Sequence, residues 1–195
     1  MAYMAMKKQQ EPSKDVVLQL LNRLWQTKFR SITVVEKWMA KTTDAEIKAG
    51  LQMQLVDERR HLRILSDEIK RLGDSIASQA RDNVLSRPFA IVQAQSTDLY
   101  RLSTFHHGIK AFTLDRCGHL LPMADAALAR IIEQIARDEE RHIRWADIRL
   151  SRVLHSDEVR ACKQLVERME RMLEPLWPRP WLDAARGRFS HFLRN

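Results

Sequence analysis

Two Glu-x-x-His pairs stand out in the sequence, Glu58 with His61 and Glu139 with His142. On an α-helix, side chains three residues apart leave the same face, so a carboxylate oxygen and an imidazole nitrogen reach a common point. That is the spacing of metal ligands. A single pair in a Glu-rich helix is ordinary surface decoration, but here the pattern is duplicated. Asp57-Glu58-Arg59-Arg60-His61 and Asp138-Glu139-Glu140-Arg141-His142 agree at four of five positions, 81 residues apart from 58 to 139. Each glutamate also interrupts an apolar stripe: Glu58 falls between Leu55 and Leu62 or Leu65, and Glu139 between Ile135 and Ala146. A carboxylate on a core-facing position needs a partner.

The elements that must position these pairs follow from periodicity. Ser13 can cap a helix over residues 15–41 with the stripe Val17, Leu21, Leu24, Ser31, Val35 and Trp38. Thr42-Thr43-Asp44 caps a second over 45–72, facing in with Ile47, Leu51, Leu55, Leu62, Leu65, Ile69 and Leu72, and Gly73 ends it. Residues 74–88 suit a crossover rather than a tight turn. A third helix over 89–117 faces in with Leu99, Leu102, Ile109 and Thr113, and the segment 118–122 breaks it. The fourth, over 124–154, carries Leu128, Ile131, Ile135, Ala146 and Val153 inward. Ser156 caps a fifth over 157–173, before Pro175, Pro178 and Pro180 stop it. The last fifteen residues suit a short amphipathic helix, with Trp177 and Trp181 in a proline-rich docking strap. The expectation is one all-α domain over 1–195: a four-helix bundle of two hairpins over 15–154, with an accessory helix and tail over 155–195.

The duplicated pattern, mid-helix on the second member of each hairpin, resembles the ferritin-like superfamily, the rubrerythrin and diiron-carboxylate oxygenase type of bundle. The resemblance implies two further carboxylates, one from the first helix of each hairpin, so that four Glu and two His surround two metal ions. This sequence departs from that pattern. Lys28 lies 30 residues before Glu58 and Lys110 lies 29 before Glu139, in the range the family uses for those carboxylates. Lys28 falls on the inward stripe and Lys110 sits beside Ile109. Glu36 is next to the stripe and only 22 residues before Glu58, and residues 89–117 contain no Glu. Four carboxylates and two divalent ions sum to zero, as do two carboxylates and two ammonium groups. A buried ammonium and a divalent cation at one point repel strongly.

The expected function is therefore a ferritin-like protein with a central charge network of Lys28, Glu58, His61, Lys110, Glu139 and His142, and no metal cofactor. One alternative is an iron- or manganese-dependent oxidoreductase using Glu58, His61, Glu139 and His142, with His106 as a further ligand. His106 also fits a hydrogen-bonded core residue, and His107 points elsewhere. Tyr100 lies too far from Lys110 for a metal-coupled radical. Cys117 and Cys162 read as small core residues.

Composition narrows the rest. The chain has 195 residues, 33 Lys+Arg against 25 Asp+Glu for a net charge of +8, and 45% apolar residues with 5 Gly and 6 Pro, too few for an all-β protein. The basic balance admits a module for acidic partners, but the charges are interleaved at helical spacing, as on solvated faces, which disfavours nucleic acid. Two cysteines make no disulfide framework, and the N-terminus has no apolar signal region; a cytoplasmic location is expected. No run reaches the length of a membrane span. A homodimer, with room for a small molecule in the bundle, completes the expectation.

Overall fold

The computed structural model describes residues 14–76, 85–152 and 156–173. Among the described residues there are seven α-helices: α1 (Lys14–Met39), α2 (Ala45–Arg71), α3 (Ser86–Ala94), α4 (Asp98–Leu102), α5 (Ala111–Leu120), α6 (Ala126–Leu150) and α7 (Ser156–Leu173). A π-helical stretch, Ser103–Lys110, joins α4 to α5, and a 3-10 turn, Leu121–Met123, follows α5. No strand occurs among the described residues.

Local chemistry sets the ends of the long helices. Asp44 caps α2 by accepting from the amides of Glu46 and Ile47, and Asp125 caps α6 by accepting from Ala127 and Leu128. Gly73 takes φ +80 at the end of α2. Its amide bonds the Lys70 carbonyl at 2.8 Å while that of Asp74 bonds Ile69 at 3.1 Å. These paired bonds satisfy carbonyls that the helix leaves open, and glycine adopts the conformation without a Cβ penalty.

The third bundle helix differs from the expected continuous span over 89–117. It breaks after Ala94, where Gln95 is extended (ψ 136), and restarts at Thr97, whose hydroxyl caps the amide of Tyr100. Tertiary contacts pin the restart: Trp38 Nε1 donates to Asp98 Oδ1 at 2.6 Å and Thr42 Oγ1 to Asp98 Oδ2 at 2.5 Å. The break expected at 118–122 is displaced, because α5 runs through Gly118 to Leu120. The π stretch is likewise absent from the periodicity reading. Thr104 Oγ1 bonds the Tyr100 carbonyl at 2.7 Å, His106 Nδ1 that of Leu102 at 3.1 Å and Thr113 Oγ1 that of Ile109 at 2.9 Å, so side chains engage carbonyls along the widened turns.

The four bundle helices are α1, α2, α6 and the composite α4–π–α5, with α1 against α2 and α5 against α6. Their core divides in two. At one end Val17, Leu20, Leu21, Leu24, Leu65, Ile69, Leu120, Leu128, Ile132 and Ile135 cluster. At the other, Val34, Val35, Trp38, Ile47, Leu51, Leu102, Phe105, Ile109, Ala146 and Leu150 do so. On α6, Ile132 takes the buried place expected for Ile131, which packs only at the edge of the cluster, and Leu62, Leu72 and Leu99 are likewise only partly buried. Helical phase drifts over several turns, so a stripe read from spacing slips by one position.

Close packing depends on Gly50, where a Cβ would lie 2.2 Å from the Trp145 ring, and on Gly108, where it would lie 3.0 Å from Met169. The latter contact seats α7, whose buried Cys162, Val166, Met169 and Leu173 form one stripe, against the π stretch. Ser13, Val153, the tail and its Trp177–Trp181 strap lie outside the described residues.

Candidate functional site

Between the two apolar clusters every bundle helix turns polar. Lys28 comes from α1, Glu58 and His61 from α2, Lys110 from the π stretch, and Glu139 and His142 from α6. None of the six is more than 3% exposed. Lys28 Nζ donates to Glu139 Oε1 and lies 3.5 Å from Glu58 Oε2. Lys110 Nζ donates to Glu58 Oε1 and lies 3.4 Å from each Glu139 oxygen. Each ammonium thus faces both carboxylates, giving a square of alternating charge with zero net charge. Lys110 also donates to His142 Nδ1 at 3.2 Å and stands 5.2 Å from the Phe105 ring centroid.

A second layer orients the histidines. His142 Nε2–H donates to Asp57 Oδ2 at 3.0 Å, and His61 Nε2–H donates to Asp138 Oδ2 at 2.8 Å, so the aspartate of each repeated string holds the histidine of the other. Both imidazoles are thereby assigned the tautomer whose Nδ1 lone pair faces the square. Arg60 donates to Asp57 Oδ1 at 2.7 Å and Asp138 Oδ2 at 2.6 Å. Arg141 donates to Asp57 Oδ2 at 2.6 Å and lies 2.7 Å from Asp138 Oδ1. The two strings are related by an approximate twofold, broken in one respect. His142 Nδ1 accepts a hydrogen bond from Lys110, whereas His61 Nδ1 has no hydrogen-bond partner and lies 3.9 Å from Glu139 Oε1.

The electrostatics follow from burial and these neighbours. Desolvation, then the Lys28 ammonium, lowers His61 to about 4, and desolvation with Lys110 lowers His142 to about 3. Both are neutral at physiological pH. Burial works to raise Glu139, but the ammonium groups of Lys110 and Lys28 outweigh it and hold the carboxyl well below its usual range. Burial also works to raise Asp57 and Asp138; hydrogen bonds from His142 and Arg141 to the first, and from His61 and Arg60 to the second, bring both below the ordinary carboxylate value. Lys110 is lowered by burial to about 7.

No family model matches the chain, and no curated protein matches it in sequence. Among solved structures it is similar to a two-domain protein from Anabaena variabilis that contains DJ-1/ThiJ/PfpI-like and ferritin-like domains. The identity is 20% and the TM-score 0.60, over 77% of this chain and 46% of that one. The fold is ferritin-like. The chain spans under half the length of that two-domain protein, and at this identity the likeness speaks to architecture alone.

A ferritin-like bundle raises the question of two metal ions at this centre, and the residues present do not fit them. Two of the six side chains are lysines, each ammonium within 3.5 Å of both glutamates, at the place where cations would have to sit. The donors of Glu58, Glu139 and His142 do lie within 4.8 Å of one another, a set able to hold one ion. His106 is not part of it. Its Nδ1 is turned to the Leu102 carbonyl and its Nε2 to the Gln54 amide at 3.0 Å, which donates once its NH2 end is turned inward. Desolvation lowers His106 to about 3, and it packs among Trp38, Phe105 and Trp145 as a neutral core residue. Glu36 is on the surface, paired with Arg59 at 2.8 Å. Cys117 and Cys162 are buried and form no disulfide.

Asp57, Asp138, Arg60 and Arg141 were not singled out by the spacing of metal ligands. Their signal was the repeat itself: Asp, Glu, Arg and His recur, and only Glu and His are explained by ligand chemistry. No described helix is long and apolar enough to cross a membrane.

Proposed function

We propose that this ferritin-like chain works with a metal-free centre, in which the Lys28 and Lys110 ammonium groups take the charge and the space of two divalent ions. The observation that carries the reading is the pairing of each buried lysine with both Glu58 and Glu139. Placing an ion among them would set like charges a few ångströms apart at low dielectric, where repulsion is many times its value in water. On this reading the protein is a binding or interaction scaffold rather than an oxygen-activating enzyme. Two buried thiols without a disulfide suit a reducing cytoplasm. The half-exposed Phe29, stacked on Trp25, offers an apolar surface to a second copy of the chain.

The test is elemental analysis of protein purified without chelator. Less than one equivalent of iron or manganese per chain is expected, with no absorption band of an oxo-bridged pair. Close to two equivalents overturns the reading. One observation favours a second reading, an iron- or manganese-dependent oxidoreductase: the convergence of Glu58, Glu139 and His142 donors. One tightly held ion per chain, lost in a His142→Ala variant that still folds, would establish it.

A further inference from the structure

We propose that the outer face of α2 and α6 is a docking surface for a partner protein's amphipathic helix, one that carries acidic residues beside its apolar stripe. The proposal rests on the reading of the chain as a binding scaffold and names the partner's chemistry. Its first support is what the bundle leaves open. Around the bundle α1 meets α2, α2 meets α6, and α6 meets α5 and the π stretch. α3 packs on α1 and the π stretch, and α7 on the π stretch and α3. The α2–α6 edge is opposite that accessory layer, and no described element covers its outer face. Of the five large apolar side chains exposed among the described residues, three stand there: Met53 at 65%, Val56 at 63% and Ile148 at 50%.

These side chains form a strip rather than isolated spots. Exposed Ala49, Met53 and Val56 follow one another at helical spacing along α2, a ridge of about 10 Å. Trp145 and Ile148, three residues apart, share a face of α6. The half-buried Trp145 ring lies so close over Gly50 that no Cβ fits there, and the indole thereby bridges the two ridges. A helix laid along the strip would repeat, on this side, the packing of α7 on the other, where Cys162, Val166, Met169 and Leu173 face inward.

Charge selects the occupant. Arg144 and Arg152 are exposed one turn to either side of Ile148, and neither has an ion-pair partner among the described residues. Acids on this face are already taken, Glu46 by Arg149, and Asp57 and Asp138 by Arg60 and Arg141. The strip is thus bordered by positive charge without a counter-charge, and acidic groups complement it. A second copy placed there by a twofold axis would set arginines against arginines. The chain's own ends are basic as well: residues 174–195 hold four arginines against Glu174 and Asp183, and residues 1–13 hold Lys7 and Lys8 against Glu11.

Fluorescence anisotropy of a labelled peptide titrated with the full-length chain tests the proposal. The probe is an amphipathic peptide of about 20 residues, long enough to run the face, with Leu on one stripe and Glu on its flanks; its control carries Lys in place of Glu. The Glu peptide is expected to bind at least about tenfold more tightly than the Lys peptide, and less so as salt rises. Met53→Asp with Ile148→Asp is expected to abolish binding, and Arg144→Glu with Arg152→Glu to reverse the preference toward the Lys peptide. All four side chains are exposed, and a reversed preference is a result that damage to the fold does not mimic. Equal affinity for the two peptides, no binding of either, or undiminished binding by the Met53→Asp, Ile148→Asp chain overturns the proposal. So does a parent dimer, seen by light scattering, that becomes monomeric in that variant, which assigns the strip to a second copy. Attachment of the parent to phosphatidylserine vesicles that is lost in the same variant assigns it to a lipid surface and overturns it too. Elemental analysis of the same sample separates the two layers of inference: a metal-free chain that ignores the Glu peptide refutes the docking face alone, and a chain with two metals that binds it refutes the metal-free reading alone.

Discussion

Removing the Lys28 side chain tests the charge square most directly. Lys28 is 1% exposed and faces Glu139 and, at 3.5 Å, Glu58. In Lys28→Ala, two buried carboxyls share the single cation of Lys110. Breaking one member of a buried ionic set costs about 3–5 kcal/mol. For a chain of this size that corresponds to a fall in melting temperature of roughly 6–20 °C. The pH dependence adds a second readout. In the parent, the two ammonium groups depress Glu139, so this carboxyl contributes stability that is present above its unfolded value and lost as pH falls through the lower folded value. Without Lys28 that depression shrinks, so the variant has less to lose on acidification. The gap between parent and variant is therefore widest above about pH 5 and narrows at lower pH. Urea unfolding of parent, Lys28→Ala and the shape-preserving Lys28→Met from pH 4 to 8 measures it. A Lys28→Ala variant that unfolds with the parent at pH 7 refutes the argument that this lysine holds a buried network together.

Replacing both lysines, as Lys28→Glu with Lys110→Glu, is expected to yield a protein that takes up about two divalent ions per chain, detected by elemental analysis and thermal stabilisation on metal addition; either single replacement leaves three buried carboxyls against one ammonium and lowers stability. Acidification below neutrality is expected to weaken the parent through His61 and His142, whose folded values of about 4 and about 3 lie below the unfolded 6.5. Across that window the unfolded chain binds protons that the folded chain refuses, at up to about 1.4 kcal/mol per pH unit for each histidine. A His61→Asn variant unfolded in urea at pH 7 and 4.5 should show a shallower pH slope than the parent, and an unchanged slope would contradict the assignment of His61 as a buried neutral base.

Much of this molecule was legible in the sequence because helical periodicity and end caps are local. Asp44 and Gly73 bound α2 as their chemistry requires, and Glu58, Glu139 and Lys28 sit on inward stripes that spacing alone identified. Even the pairing of Lys28 with Lys110 followed from matching offsets, since two copies of a hairpin brought face to face superpose equal positions. Tertiary structure decided the rest, for reasons that local propensity does not carry. The break before Asp98 is pinned by Trp38 of α1 and by Thr42 in the connection to α2, more than fifty residues away, and the π turns before Lys110 are lined by side-chain bonds to carbonyls and covered by Met169 of α7. The crossed pairing of Asp57 with His142 and Asp138 with His61 exists only where α2 and α6 meet. Which histidine nitrogen is satisfied, and hence which lysine has a hydrogen-bond acceptor beside it, is set by how closely four helices pack, and only tertiary packing sets such distances.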